Sequence, residues 1–337
     1  MPNAKTLPSP MPIAQDLLWG GWSALAAGAA VELDLFTIIH RGKTTAAEIA
    51  AEAQTHESST RRLLDAMVAL KYLTRKKDRY GLAPASATYL VRSSDLYMEG
   101  AGKFASGHLM GWPELAQAVR TGAPVTTDEP GARGEFFAML VRCIFPSGYA
   151  AATAAVNSLD RVPRARIRKI LDIAGGTGAW SIPFVQAIKG ARATLLDLPQ
   201  VIPVAREYTV KFGVADRFDY IEGDLHQVDL DDGGYDLITL GHVIHSEGRE
   251  DGVKLIERCF RALAERGMLL IGEFVPNDDR TGPPIAMLFG LNMLLHTPVG
   301  DVFTMKEYRE WLKGAGFRSI KTIRTPSAVS PLILARK

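Results

Sequence analysis

Cysteine is almost missing from this sequence. Cys143 and Cys259 are its only two, both in segments that read as helical, so no disulfide framework is expected and a reducing, cytoplasmic setting fits. Neither sign of charge is in excess. Thirty-nine Lys and Arg face 37 Asp and Glu, which removes any general electrostatic case for nucleic acid or membrane as a partner. No run reads as long and apolar enough to span a bilayer. The apolar Ala/Gly-rich stretch 17–31 lacks a basic approach beyond Lys5 and continues into Glu32 and Asp34. It reads as a buried helix rather than a signal-peptide core. No internal repeat is visible. No Cys/His grouping has metal-ligand spacing, so no metal is expected.

What is there is an ordinary globular composition, 47% hydrophobic over 337 residues, with room for two domains. Residues 1–12 hold four prolines and read as a disordered tail. Residues 13–120 are mostly helical. Thr45 and Glu48 have capping-box spacing, and a helix over 59–73 takes its apolar face from Leu63, Leu64, Met67, Leu70 and Leu73. A basic hairpin follows at 74–82, and helix, helix and hairpin make a winged-helix pattern. Residues 121–165 read as linking helices, with 161–164 as the linker itself. From 166 to 337 strands and helices alternate, the mark of an α/β doubly wound, Rossmann-like sheet. Seven strands are expected at 169–174, 193–197, 218–222, 235–240, 267–274, 318–324 and 331–336. Helices are expected at 182–189, 200–212, 250–264 and 305–313.

The most informative segment is Leu171-Asp172-Ile173-Ala174-Gly175-Gly176-Thr177-Gly178, an apolar strand turning at once into a glycine-rich loop. Glycines there let the backbone approach a ligand closely. Two features argue against a dinucleotide. Ser181 replaces the small third glycine of that fingerprint, and Asp172 sets a carboxylate where it would repel a diphosphate and welcome a cation. S-adenosylmethionine (SAM), with an adenosine at one end and an ammonium and sulfonium at the other, fits better. In such sheets ligands sit at the carboxyl ends of the strands. Asp197 ends the second strand about 20 residues past the glycines, where an acid can hold ribose hydroxyls. Asp224 ends the third, His242 and His245 follow the fourth, and Glu273 ends the fifth.

In these residues the chain resembles the class I SAM-dependent O-methyltransferases of the caffeate/hydroxyindole type, which carry a winged-helix-like dimerisation domain before the catalytic one. The matching motifs are LDIAGGTG (171–178), LLDLPQVI (195–202), GDLHQ (223–227), VIH (243–245), GEF (272–274), NMLLHTPVGDVFT (292–304) and LKGAGF (312–317). The resemblance implies a homodimer formed through the N-terminal domain. It also implies a SAM site in which Gly175, Gly176 and Gly178 cradle the methionine part, Asp197 with Leu198 the ribose, and Asp224 with Leu225 the adenine edge. His245 matches the family's general base and Glu273 one of the two acids that hold it; S-adenosylhomocysteine would be the product. The chain departs from the pattern at Ser246-Glu247, where the family commonly has Asp-Trp. It departs again at Val302, where the second orienting acid stands, and at Thr297 in place of Asn.

Methyl transfer from a sulfonium is an in-line displacement, and alignment alone supplies much of its acceleration. A phenol is protonated at neutral pH, so a histidine within reach would take its proton. Thioether or activated-carbon acceptors need little such help, and the missing second acid keeps them open as an alternative. Asp172 and His242 are further candidates for the cofactor site, and His226 is expected to pack near the adenine. Trp112, Met139, Phe145, Tyr149, Met287, Phe289, Asn292, Met293 and His296 are candidates for the wall of a small-molecule acceptor pocket. A reading of another class is a winged-helix DNA-binding regulator, given Arg61, Arg62, Lys71, Arg75, Lys76, Lys77 and Arg79. Against it, the second helix spends its apolar positions on packing and offers no amide or aromatic readers of base edges.

Overall fold

Short apolar runs spaced through the C-terminal part of the chain become the strands of one sheet. The computed structural model describes residues 9, 11–107, 109, 111–125, 132–230, 234–325 and 328–337. An N-terminal hairpin supplies β1 (Leu73–Lys76) and β2 (Arg79–Leu82). The large sheet comprises β3 (Lys169–Ile173), β4 (Arg192–Asp197), β5 (Phe218–Glu222), β6 (Tyr235–Gly241), β7 (Leu263–Gly272), β8 (Ser319–Ile323) and β9 (Leu332–Arg336). Its order is β5-β4-β3-β6-β7-β9-β8. β3 to β7 are parallel, and β9 runs antiparallel to both neighbours. The strand order reverses between β3 and β6, and the crevice at such a switch point is where this architecture binds ligands. All seven expected strands are present. β7 begins earlier than expected, at Leu263, and the helix before it spans Ile244–Ala262, so His245 lies in a helical first turn.

The chain packs as two units, Met1–Met110 and Gly111–Lys337. The boundary read from sequence lay further on because 121–165 looked like a connecting layer. In the structure helix Ala132–Ser158 packs on helix Ile182–Ala187 of the sheet unit, and the expected linker at 161–164 is itself helical, Arg161–Arg166. One expectation is overturned here. Gly134–Ser158, with mean hydropathy 1.3, is long and apolar enough by length and composition to cross a membrane. Its apolar side is occupied by the protein: Phe145, Ala151, Ala152, Ala155 and Val156 are buried, and Arg142 pairs with Glu207 at 2.6 Å. Cys143 and Cys259 are both buried, free thiols.

In the first unit Leu35, Phe36, Ile49, Leu64, Met67 and Tyr80 form the core. Thr45 and Glu48 form the full capping box expected of them. The next helix is Glu57–Ala69. It stops short of the expected end, leaving Leu70 partly exposed and passing Leu73 to β1. Arg61 and Arg75 both pair with Asp65, and Arg79 donates to Thr44, so part of the basic surface is already engaged. The 17–31 stretch, expected to be buried by a second chain, is mostly open within a single one. Within this chain Leu17 is 79% and Trp22 65% exposed, and burial in helix Trp22–Glu32 is confined to Gly28, Ala30 and Val31. Of the tail expected over 1–12, residues 1–8 and 10 lie outside the described residues, and helix Met11–Ala14 begins within the rest.

Candidate active site

The loop after β3 is shaped by backbone that only small residues allow. Gly176 and Gly178 have φ of +59° and +81°, and a Cβ on Gly176 would meet Val141 at 2.9 Å. Gly176 N–H donates to Asp197 Oδ2 at 2.7 Å, and Leu198 N–H donates to Oδ1 at 2.7 Å. The acid at the end of β4 thus fixes both the loop and its own turn. Burial raises its pKa to about 6, the two backbone donors opposing. Asp172 lies behind the loop, fully buried, with its oxygens taken by Thr239 Oγ1 at 2.6 Å and Ser181 Oγ at 2.5 Å. Burial drives this carboxyl up to about 7. Asp172 thus braces the loop from within. After β5, Asp224 Oδ1 accepts from His226 N–H at 2.8 Å, which folds the turn carrying Asp224 and Leu225.

A second cluster forms at the ends of β6 and β7. His245 Nδ1 lies 2.7 Å from Glu273 Oε2, and its backbone N–H donates to Oε1 at 3.2 Å. With Nδ1–H donating to the carboxylate, Nε2 keeps its lone pair and can accept a proton. Burial would raise the Glu273 carboxyl, but His245 and then His242 outweigh it and hold it below the usual carboxylate value. The His245 backbone carbonyl accepts from Asp301 N–H at 2.9 Å. Phe289 stands edge-on to the imidazole, centroids 4.8 Å apart, and stacks on Phe274 at 3.7 Å and 13°.

His242 joins this cluster rather than the glycine loop. Its N–H donates to Gly272 O at 2.8 Å, and its ring packs on Phe274 and on Trp180. Among the described residues its Nδ1 has no hydrogen-bond partner, and it lies 4.0 Å from Glu273 Oε2. Burial drives its pKa down to about 4, so it is neutral at physiological pH. Trp180 fits here because Gly241 and Gly272 face it: a Cβ on either would sit within 2.2 Å of the indole. Donor atoms of His242, His245 and Glu273 come within 4.8 Å of one another, a gathering that spacing along the chain did not show. The 2.7 Å separation of His245 and Glu273 is a hydrogen-bond length, shorter than the ~3.3 Å between neighbouring ligands on a tetrahedral ion with ~2.0 Å bonds. As it stands the cluster is a hydrogen-bonded acid–histidine network.

The pocket candidates divide. Phe289, Asn292, Met293 and His296 follow helical spacing on Pro284–His296 and share one side of it, and Phe289 reaches the His245 ring. Met287 is half-buried on the same helix, off that side. Met139 is partly exposed on helix Ala132–Ser158. Trp112 opens a 3-10 turn, its buried indole N–H without a hydrogen-bond partner among the described residues. Phe145 and Tyr149 are corrected. Phe145 is fully buried against Tyr149, Tyr208 and Phe212, and Tyr149 OH donates to Gln186 Oε1 at 2.9 Å. They are the one-turn-apart core face of their helix. Val302 is buried against Gly290, and Thr297 closes its own turn by donating to Met293 O and accepting from Gly300 N–H. Sequence reading missed Phe274, Trp180 and Thr239 as site residues, and saw Ser181 only as a departure from the dinucleotide fingerprint. Phe274 had a signal in its place beside Glu273.

The cradle that a Cβ would fill at Gly176 and two acids, Asp197 and Asp224, tied to backbone donors suit SAM better than a diphosphate. Fold and site together define a SAM-dependent methyltransferase. Comparison with known proteins agrees. An O-methyltransferase domain matches residues 150–318 and an O-methyltransferase dimerisation domain residues 16–92, and the chain belongs to this O-methyltransferase family. It is 30% identical to the 3-hydroxy-5-methyl-1-naphthoate 3-O-methyltransferase of Streptomyces sahachiroi, over 93% of this chain and 91% of that one. Among solved structures, PigF with S-adenosylhomocysteine is 28% identical with a TM-score of 0.78, covering 98% of this chain and 100% of its own. Human N-acetylserotonin methyltransferase in complex with SAM is 25% identical with a TM-score of 0.80, covering 99% of each chain.

Proposed function

We propose that this enzyme methylates a hydroxyl on a small aromatic acceptor, with His245 as general base and Glu273 as the acid that orients it. The observation that carries the proposal is the His245–Glu273 bond at 2.7 Å, which leaves Nε2 beside an aromatic wall. Bound SAM supplies an electrophilic methyl group on a sulfonium. Gly175, Gly176 and Gly178 hold its methionine part, Asp197 and Leu198 the ribose, and Asp224 with Leu225 the adenine edge. Phe289, Met293 and Asn292 seat the acceptor so that its oxygen faces the methyl group. His245 Nε2 takes the hydroxyl proton, and Glu273 steadies the imidazolium that results. The sum is one O–C bond made, one S–C bond broken and one proton passed to His245 and then to solvent.

The protein acts as a homodimer through its N-terminal unit. Support comes from the dimerisation-domain match over 16–92 and from Leu17, Leu18 and Trp22, which are exposed within one chain. Its two buried free thiols suit a reducing compartment. The decisive experiment is transfer of labelled methyl from SAM to a panel of phenols, aliphatic hydroxy acids and thioethers, with calorimetry of SAM alone. Turnover of phenols supports the reading. Turnover confined to thioethers would overturn the hydroxyl acceptor, and NAD binding without SAM binding would overturn the cofactor site.

A further inference from the structure

The turn after β5 is held by helix Ile244–Ala262 through three contacts. Arg258 donates from Nη1 to Leu225 O at 2.6 Å and from Nη2 to Val228 O at 2.5 Å. The third is between side chains: His226 Nε2 lies 2.6 Å from Glu247 Oε2. His226 is thereby joined on one side to Asp224, through its backbone N–H, and on the other to the helix. The Glu247 side chain is only 8% exposed, against 49% for His226. A carboxylate withdrawn this far from water needs a strong partner, and besides His226 it has the Ser246 hydroxyl at 3.3 Å.

The place of Glu247 gives this contact a function. Gly248, with φ 73° and ψ −179°, breaks the helix immediately after it. Residues 244–247 are therefore a single turn set off from the helix body, carrying the base His245 and Glu247 together. His245 has its own supports in Glu273 and Asp301 N–H. We infer that His226 and Glu247 form a clasp that positions the adenosine-binding turn of SAM against the turn bearing the base. They are positioning residues for the cofactor, and touch neither the methyl group nor the acceptor. The inference rests on the proposed reading of Asp224 and Leu225 as the adenine edge. Where the family pattern has tryptophan, this chain uses a buried acid and answers it with a histidine.

The test is a double-mutant cycle on the full-length enzyme, with SAM affinity from calorimetry and KM and kcat from steady-state rates. His226→Ala and Glu247→Ala should each raise the Kd and KM for SAM about tenfold, the scale of one lost charge-assisted hydrogen bond. The double variant should be no worse than either single one. Glu247→Gln, which keeps an acceptor oxygen, should recover most of the loss. The KM for the acceptor should stay put, and kcat at saturating SAM should fall less than about threefold, because His245 keeps its other supports. Should Glu247→Ala fail to fold, His226→Ala, at a half-exposed position, carries the test with Glu247→Gln. Unchanged SAM affinity in His226→Ala, losses that multiply in the double variant, or a fall confined to kcat would overturn the clasp. If Asp224→Ala leaves SAM binding intact, the adenine-edge reading falls and the clasp with it. Asp224 dependence with a silent His226→Ala overturns the clasp alone.

Discussion

Two ends of one sheet edge hold buried acids and treat them in opposite ways. At the glycine-loop end Asp172 is fully buried, and its carboxyl is pushed up to about 7 by that burial. Asp197, beside it, is raised to about 6 for the same reason. At the histidine end Glu273 is as deeply buried, 2% exposed, yet lies below the ordinary value because His245 and His242 outweigh burial. The difference lies in the partners each acid meets. At the histidine end the ring and backbone N–H of His245, both built into the chain, meet the acid, and they hold it ionised. At the loop end the described residues bring hydroxyls and backbone donors to the acids, and in the proposed reading a sulfonium- and ammonium-bearing ligand brings the positive charge. One end is complete in itself, and the other is proposed to be completed by its cofactor.

The largest effect should come from breaking the complete end. His245→Ala should lower kcat for a phenolic acceptor by roughly 10²–10⁴-fold with SAM affinity nearly unchanged, measured by steady-state rates beside calorimetry. A variant that keeps full rate on a phenol would show that positioning alone drives transfer and that His245 is a spacer. Asp197→Ala, at the other end, should reverse the pattern. SAM binding should weaken by ~1.5–3 kcal/mol, the scale for a hydrogen bond to a charged group, while kcat at saturating SAM falls much less. Equal losses of kcat in both variants would erase the distinction between the two ends.

How much of this could be read from the chain follows the same division. The loop end is local: glycines, the following acid and the strand that ends in it are close in sequence, and backbone geometry dictates their arrangement. No pattern, though, reveals that Thr239, two strands' worth of chain away, meets the Asp172 carboxylate. The histidine end is a convergence of distant pieces. His245 and Glu273 were legible through motif resemblance, but the stacking of Phe274 on Phe289 and the pairing of His226 with Glu247 exist only after the sheet is assembled. Phe145 and Tyr149 misled for a related reason. Helix Ala132–Ser158 is apolar on more than one side, so its sequence cannot say which aromatic faces a cleft and which faces Tyr208 and Phe212.

The smallest expected effect sharpens the comparison through stability. Asp172 has a pKa of about 7 in the folded protein, against ~3.9 for an unfolded aspartate. The folded state therefore holds this proton more tightly, and stability falls as pH rises between those values. Its contribution is fully present below pH ~4 and is lost as pH passes through about 7. Without SAM the protein should thus lose roughly 1–3 kcal/mol between pH 5 and 7.5 through this group, an order-of-magnitude figure for a shift of this size. Asp172→Asn is neutral at every pH and can still meet Ser181 and Thr239, so its stability should be flatter over the same window. Urea unfolding of both proteins at one concentration, at pH 5 and 7.5, measures the difference directly. Adding SAM should stabilise the wild type more at pH 7.5 than at pH 5, because ionised carboxylates favour a cationic ligand, and this pH preference should shrink in Asp172→Asn. Identical pH slopes for the two proteins would mean that Asp172 is already ionised and balanced without the cofactor, and the contrast between the two ends of the sheet would not hold.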